Sequence, residues 1–179
     1  MRLFCFLIGV KLQKGVLFKC ISSINKLKSA DISIGKNTII NSNNFGYHVN
    51  MFAKCKLIAD RPKARIKIGD NCRIHATCIH AYTEINIGNR VLIAANTQII
   101  DGNGHSLSME NVENRINTTD NGKAILIADD VWIGTNSIIL GGVTIGKGSI
   151  VSANTVVNKD VPPYSLVGEN PMRVLKSFR

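Results

Sequence analysis

No apolar run in this sequence approaches the roughly 18 consecutive residues that cross a bilayer, although 45% of its 179 residues are hydrophobic. We therefore expect no transmembrane helix. The apolar content is too high for a chain that is disordered throughout. The length suits one domain with its own core and is too short for two full-sized ones.

Cysteine pairs spaced as Cys-x-x-Cys are also absent. The five cysteines are odd in number, which argues against a disulfide framework and indicates free thiols in a reducing compartment. We therefore predict a cytoplasmic protein. Cys72 and Cys78 fall in or beside a small-residue position of the repeat described below, so both are predicted to be buried core thiols.

Acidic side chains are missing from residues 1–30, although the whole chain has a formal net charge of +10. The bases of this segment are Arg2, Lys11, Lys14, Lys19, Lys26 and Lys28. A basic chain raises the hypothesis of nucleic-acid binding. However, the sequence has no zinc-finger spacing, no RNP-like aromatic motif and no clear helix-turn-helix pattern, so we expect no nucleic-acid partner.

Residues 1–30 also carry Leu3, Leu7 and Val10 at helical spacing, which predicts a helical segment. The apolar run at residues 3–10 is short and no cleavage site follows closely, so we expect the segment to be retained. Two roles stay open. It could cap the core, which we favour because apolar helix stripes usually face a core, or it could lie on an anionic membrane surface at the inner face.

A six-residue repeat dominates the rest of the chain. An aliphatic residue returns every sixth position at Ile34, Ile40, Ile68, Ile74, Ile87, Ile93, Ile99, Ile127, Ile133, Ile139, Ile145, Val151 and Val157. Two positions before each of these lies a β-branched or small residue. Alternation places both series on one face of a short strand, pointing inward. A helix needs apolar spacing near 3.6, so the pattern predicts short strands joined by corners.

The corners have their own signature. Three residues after the aliphatic position lies Asn or Gly in most repeats, with Arg90 and Asp130 among the exceptions. Asn and Gly adopt positive φ at low cost, which a tight turn requires. Three such strands per coil, stacked coil on coil, predict an all-β triangular column with an aliphatic interior.

Two interruptions break the period. Thirteen residues separate Ile74 from Ile87, so one residue is inserted near 79–82 and the orientation of His80 stays open. The polar stretch at residues 101–124 has no sixfold pattern and is predicted to be a loop ejected from the column. Long loops on a rigid repeat scaffold are often functional.

These residues resemble the hexapeptide-repeat acetyltransferases, the left-handed parallel β-helix family of galactoside, maltose and serine acetyltransferases. The resemblance covers residues 66–173, and 32–40 more weakly. It is most specific at Asp130-Val-Trp-Ile-Gly-Thr-Asn, Ile139-Leu-Gly-Gly-Val-Thr-Ile-Gly and Asn158-Lys-Asp-Val-Pro-Pro. It implies a left-handed coil, whereas parallel crossovers in general are right-handed. It also implies a homotrimer with active sites between neighbouring columns.

The resemblance further implies acetyl transfer from acetyl-CoA to a hydroxyl. Ile93-Ala-Ala-Asn96 leads into Asp101-Gly-Asn-Gly-His105, matching the family at Asn96 and His105. An alcohol attacks a thioester only with a base near neutral pH, a role suited to histidine. His105 is accordingly the expected base, and Asn96 would contact the acceptor hydroxyl or the tetrahedral intermediate. Asp101 or Glu110 could orient the His105 ring, and the spacing does not choose between them.

By the same resemblance, five residues would bind the coenzyme: Trp132 beside the pantetheine arm, backbone groups of Gly142 and Ala153 at its amides, and Lys159 and Arg173 at its phosphates. Two departures stand out. Ser152-Ala-Asn-Thr155 replaces the usual Gly-Ala-Gly-Ser, and Glu169-Asn-Pro-Met-Arg173 replaces Gly-Asn-Pro-Ala-Lys. Glu169 is electrostatically unfavourable beside a phosphate.

The organisation expected is a helical segment at 1–30, a β-helix at 31–160 and a tail at 161–179 that completes the coenzyme site. The acceptor would be a sugar or a polysaccharide precursor, small or lipid-linked. Alternatives stay open: N-acetylation of an amino sugar, a non-catalytic trimeric scaffold, or a zinc enzyme using His48, His75 and His80, as in carbonic anhydrases on the same column. The spacing and phase of these histidines fit that zinc set poorly, so we expect no metal.

Overall fold

The structure is a computed structural model that describes residues 1–178 and consists almost entirely of short strands. In chain order the elements are the helix α1 (Arg2–Leu7) and the strands β1 (Lys11–Leu12), β2 (Leu17–Lys19), β3 (Ser23–Lys26), β4 (Asp31–Ile34), β5 (Ile39–Asn41), β6 (Lys56–Ala59), β7 (Arg65–Ile68), β8 (Arg73–His75), β9 (Cys78–His80), β10 (Glu84–Ile87), β11 (Leu92–Ile93), β12 (Gln98–Ile100), β13 (Ile125–Ile127), β14 (Trp132–Ile133), β15 (Ile138–Leu140), β16 (Thr144–Ile145), β17 (Ile150–Val151), β18 (Val156–Val157), β19 (Ser165–Gly168) and β20 (Arg173–Ser177), with a 3₁₀ helix (Val112–Asn117) between β12 and β13.

Every third strand stacks in parallel on its predecessor, which builds three sheets. Sheet A contains β1, β4, β7, β10, β13 and β16; sheet B contains β2, β5, β8, β11, β14, β17, β19 and β20; sheet C contains β3, β6, β9, β12, β15 and β18. Each coil contributes one strand to each wall, so six coils form a triangular column. The predicted left-handed parallel β-helix is confirmed.

The two repeat series fill the column. Every residue of the aliphatic series is at most 2% exposed, and the smaller series two positions earlier is equally buried. Polar members of that smaller series, such as Thr38 and Ser149, hydrogen-bond to backbone carbonyls, which offsets the cost of their burial. Among the described residues of this series, Thr155 is the exception, because its buried hydroxyl has no hydrogen-bond partner. The core therefore lies along the column axis, and the outer faces of the walls are left for function.

The corner prediction is confirmed, including at its exceptions. Asn96 and six equivalent Asn or Gly residues have φ between +55° and +88°, and so do Arg90 at +56° and Asp130 at +64°. Asn43 and Gly102, where the two long loops leave the column, do not adopt positive φ. Arg90 and Asp130 stack on adjacent coils, where the guanidinium Nε donates to the Asp130 carboxylate at 2.6 Å. Glycine one residue after the aliphatic position has another cause: a Cβ at Gly134 would lie 2.4 Å from the backbone N of Ala153 on the next coil.

The predicted helical segment at residues 1–30 is wrong beyond Leu7. Helix α1 ends there, and β1, β2 and β3 form the first coil of the column, so the β-helix begins at Lys11 rather than at residue 31. The missed pattern was the sixfold spacing of Leu12, Phe18 and Ile24, which pair with inward residues of the second coil. Parallel pairing on that coil outweighs the helical spacing of Leu3 and Leu7, both of which are exposed.

The insertion is distributed over two corners. Ile79 points inward five residues after Ile74 rather than six, and the next corner is correspondingly longer. His80 consequently points outward, and its Nε2 lies 2.9 Å from an Asp60 carboxylate oxygen. The prediction of a buried Cys78 is wrong, since it lies half-buried on the outer face of sheet C, while Thr77 occupies the inward position.

At the far end, β19 continues sheet B and β20 folds back on it in antiparallel register. No helix within residues 1–178 has the length and hydropathy needed to span a bilayer.

Candidate functional site

A groove of about 700 Å³ runs along the outer face of sheet B. Its floor is a ladder of residues that face outward in register on successive coils: Arg73, Leu92, Trp132, Ile150 and Leu166. One side is formed by backbone and small side chains at the corner between sheets B and C, including Ala153. The groove is therefore mostly apolar, with a cation at the end nearer the first coil.

The loop of residues 42–55 leaves the column at the same corner and also lines the groove, through Tyr47, His48 and Val49. Asn96 holds this loop: its Oδ1 accepts from the Phe52 N–H at 3.0 Å, and its Nδ2 donates to the Asn50 carbonyl at 2.8 Å. The Asn96 side chain thus uses its oxygen and one N–H within the chain, which leaves one N–H for any ligand.

Aromatic rings close the end of the groove near Arg73. The Tyr47 ring stacks on His75 with centroids 4.6 Å apart, and His48 packs against Tyr47 at 4.5 Å. The Asn41 Nδ2 donates to Nδ1 of His75 at 3.1 Å. Burial, and then the nearby charge of Arg73, lower the pKa of His75 to about 4. The ring is therefore neutral near pH 7, with its hydrogen on Nε2.

Residues 101–124 form the predicted ejected loop, at the corner between sheets C and A. Asp101 is 1% exposed and closes its base. Its carboxylate accepts from the N–H groups of Tyr82, Thr83 and Glu84 at 2.6 to 2.9 Å and from the Thr83 hydroxyl. The C-terminal end of the loop is held against its start by a hydrogen bond, in which the Lys123 N–H donates to the Asp101 carbonyl at 2.6 Å.

His105 lies exposed in this loop, with its Nδ1 3.0 Å from the Thr118 carbonyl oxygen. A carbonyl oxygen only accepts, so Nδ1 carries a hydrogen, and in the neutral ring Nε2 keeps its lone pair. Thr118 is itself fixed, because its hydroxyl donates to the Arg115 carbonyl at 2.9 Å and accepts from the Ser106 N–H at 3.1 Å. The expected orientation of His105 by Asp101 or Glu110 is therefore wrong, since the orienting group is a backbone carbonyl.

The other predicted residues divide into two groups. Trp132, which is 52% exposed, and Ala153 line the groove. Gly142 and Lys159 lie outside its lining, at the corner between sheets C and A, and the Gly142 N–H donates to the Lys123 carbonyl at 2.9 Å. Arg173 lies at the start of β20, where its Nη2 donates to Glu169 at 2.7 Å, so the suspected acidic neighbour does pair with it.

Asn96 and His105 belong to different corners of one column, and no residue of 101–124 lines the groove. One chain therefore does not bring His105, the predicted base, and the groove together. The three alternative histidines do not come together either. His48 and His75 both pack on Tyr47, whereas His80 lies on another wall beside Asp60. Within the described part of the chain, no three His, Cys, Asp or Glu side chains cluster as metal ligands would.

Sequence reasoning missed Tyr47 and Thr118, and it considered His75 only as a possible zinc ligand. Residues 42–55 have no period, so nothing indicated which of their side chains would enter the groove. Thr118 acts through its carbonyl, which carries no residue-specific information.

Comparison with known proteins identifies the repeat. Residues 124–159 match the family model described as bacterial transferase hexapeptide (six repeats), and residues 65–100 match the hexapeptide repeat of succinyl-transferase. A solved hexapeptide-repeat acetyltransferase from Vibrio cholerae O1 biovar eltor, complexed with acetyl coenzyme A, is 33% identical. The match covers 93% of this chain and 72% of that one, with a TM-score of 0.53.

Two curated proteins are also similar. Galactoside O-acetyltransferase of Escherichia coli K12 is 36% identical over 117 residues, covering 64% of this chain and 55% of that protein. The Bacillus subtilis strain 168 protein named "Putative acetyltransferase YvoF" is 45% identical over 92 residues, covering 51% of this chain and 47% of that protein. The chain thus spans about half the length of the curated relatives it matches.

Proposed function

The chain belongs to the hexapeptide-repeat acetyltransferase family, and from that premise we propose that it transfers the acetyl group of acetyl-CoA to a hydroxyl of a sugar or a polysaccharide precursor. The observation that carries this proposal is the hydrogen bond from His105 Nδ1 to the Thr118 carbonyl. It leaves Nε2 of an exposed imidazole ready to accept a proton, as direct transfer to an alcohol requires.

The reaction follows from that lone pair. His105 Nε2 takes the hydroxyl proton while the acceptor oxygen bonds to the thioester carbonyl carbon. The carbon–sulfur bond then breaks, and the imidazolium returns its proton to the departing thiolate. The products are an acetyl ester and free CoA thiol, and His105 regains its starting tautomer. Direct transfer of this kind needs no covalent enzyme intermediate.

The groove on sheet B supports the donor assignment. Trp132 and Leu92 offer exposed apolar surface for a pantetheine arm. At the corner that contains Ala153, no bulky side chain would keep the amides of that arm from the protein backbone. Lys159 and Arg173 remain proposed phosphate contacts. Because Glu169 already binds Arg173, phosphate would have to compete with a carboxylate there, so Lys159 is the stronger of the two.

Assembly as a homotrimer would bring His105 of one copy close to the groove of another, which a single chain does not do. The outer face of sheet C carries Ile100, Ile138, Leu140 and Val156, whereas that of sheet A carries Arg65, Lys67, Glu84 and Asn86. An apolar face beside a polar one favours association through the former. Packing around that face would bring the residue 101–124 loop of one copy toward the groove of the next. The remaining N–H of Asn96 would then face the acceptor.

The proposal is tested by an acceptor screen with acetyl-CoA that measures thiol release and distinguishes ester from amide products. His105→Ala is expected to lower turnover by about 10²–10⁴-fold while CoA binding is retained, and added imidazole is expected to restore part of the activity. Asn111→Ala, an exposed change in the same loop, should leave turnover unchanged.

Several results would contradict the proposal. Near-full activity of His105→Ala would remove the assigned base, amide products alone would favour the amino-sugar alternative, and no thiol release across the panel would favour a non-catalytic scaffold. Light scattering should give about three times the 19.5 kDa chain mass, and a monomer that retains activity would contradict the shared site.

A further inference from the structure

The end of the column formed by the first coil exposes large apolar side chains. Cys5 is the only buried residue of α1, whereas Leu3, Phe6 and Leu7 are 72%, 78% and 73% exposed. The core at this end is already closed by Cys5 and by Met1 and Ile8, which pack against it. The exposed residues of α1 are therefore not needed to cap the core.

Basic residues surround this apolar surface. All six bases of residues 1–30 lie on α1 or the first coil, and among the described residues Lys11 alone of the six forms an ion pair, with Asp31. A depression of about 630 Å³ is lined by Leu7, by Lys11, Lys26 and Lys28, and by one acidic residue, Asp31. The end of the column thus combines apolar groups that project into solvent with bases of which, among the described residues, all but Lys11 lack a carboxylate partner.

Lysines at the edge of an exposed sheet have a structural role of their own, since they discourage pairing with other chains. That role accounts for bases on β1, β2 and β3 but not for Leu3, Phe6 and Leu7. Nucleic acid would suit the charge but not three neighbouring aliphatic and phenyl side chains. A short amphipathic helix with bases around its apolar residues suits the interface of an anionic bilayer.

We propose that this surface, consisting of α1 and the first-coil lysines, docks the protein onto an anionic phospholipid bilayer. The column axis would then be roughly perpendicular to the membrane plane, because the docking surface closes one end of all three sheets. Arg73 and His75, at the near end of the groove, lie on the third coil. At about 4.8 Å per coil, they would be about 10 Å from the first coil.

This placement has a consequence that rests on the proposed function: a lipid-linked acceptor in the same bilayer would reach the groove without leaving its membrane. In a homotrimer with parallel columns, the three docking surfaces would face one plane. Their weak individual affinities would then combine.

The test is co-sedimentation of the full chain with vesicles of phosphatidylcholine alone or mixed with phosphatidylglycerol, without acetyl-CoA or acceptor. We expect binding only to the anionic vesicles, weakening as salt is raised. The double variant Leu3→Ser/Phe6→Ser should weaken binding roughly tenfold or more. Lys14→Glu/Lys28→Glu should also weaken binding roughly tenfold or more, since each lysine close to an anionic bilayer raises the membrane affinity about fivefold.

Matched controls separate the docking surface from general properties of the chain. Leu107→Ser/Ile116→Ser removes side chains that are 71% and 79% exposed elsewhere, and Lys54→Glu/Lys63→Glu makes the same change in net charge at other exposed lysines. Both should bind like the parent chain. All four variants should keep the parent oligomeric mass, which shows that the fold is retained.

Four outcomes would overturn the proposal: equal binding to neutral vesicles, loss of binding in the controls as large as in the docking variants, preference for a DNA duplex over vesicles, or end-to-end association that Leu3→Ser/Phe6→Ser abolishes. None of these depends on catalysis. Thiol release with a soluble acceptor, measured on Leu3→Ser/Phe6→Ser, distinguishes failure of docking from failure of the proposed function.

Discussion

The Asp101 carboxylate holds the base of the residue 101–124 loop, and replacing it with asparagine removes half of its acceptors. One carboxylate oxygen accepts from the Tyr82 N–H at 2.6 Å. The other accepts from the N–H groups of Thr83 and Glu84, at 2.8 and 2.9 Å, and from the Thr83 hydroxyl. Asparagine keeps the shape but offers one oxygen and one NH₂ group.

Whichever way the new amide turns, its NH₂ group faces backbone donors. Either the Tyr82 N–H or the N–H groups of Thr83 and Glu84 lose their acceptor in a buried site. A buried donor without a partner costs about 1–3 kcal/mol, so we expect Asp101→Asn to destabilise the fold by about 2–4 kcal/mol. For a chain of this length that corresponds to a fall in Tm of about 5–15 °C.

Calorimetry at fixed protein concentration measures the loss, and amide hydrogen exchange locates it, since exchange should accelerate at Tyr82, Thr83 and Glu84. The matched control is Asp160→Asn, where an exposed carboxylate accepts a single N–H, that of Thr144. That change should cost less than about 1 kcal/mol. A Tm for Asp101→Asn within 2 °C of the parent, or unchanged exchange at the three amides, would refute the hydrogen-bond account of the loop base.

Two further predictions concern the groove and the loop of residues 42–55 that lines it. Unfolded His75 takes up a proton near its ordinary pKa of 6.5, whereas the folded ring does so only near 4; stability should therefore fall as pH drops from about 6.5 towards 4. The ring is only partly buried, so the loss should be about 1–2 kcal/mol rather than the full shift. Chemical unfolding at pH 7 and pH 4.5 measures it, and a His75→Gln variant with the same pH dependence would contradict the assignment. Asn96→Ala should cost about 2–3 kcal/mol, because it loses two hydrogen bonds to residues 42–55 and places alanine at positive φ; Asn154→Ala, with φ +61°, isolates the backbone part at about 1 kcal/mol. Limited proteolysis within 42–55 should accelerate for Asn96→Ala only, and equal rates for both variants would contradict the role of Asn96 in holding the loop.

The repeat shows where sequence reasoning works and where it stops. Arg90 and Asp130 depart from the corner composition, yet both adopt the corner conformation, because the strands on either side impose it. The first coil was missed because Leu3, Leu7 and Val10 satisfy a helical period over a few residues. The sixfold series Leu12, Phe18 and Ile24 is too short to stand out without the second coil beneath it.

The functional residues divide in the same way. The sequence alone determined the column, its inward-facing residues and the ejected loop, because these depend on regular spacing between near neighbours. The prediction of His105 came instead from the resemblance of residues 93–105 to the acetyltransferase family. Only the tertiary structure decided which nitrogen of His105 carries the hydrogen, what Asn96 holds and which residues close the groove. Those outcomes depend on a carbonyl 13 positions away and on a loop 44 positions away. Contacts at such distances follow from how the coils stack and the loops fold back, which no local period encodes.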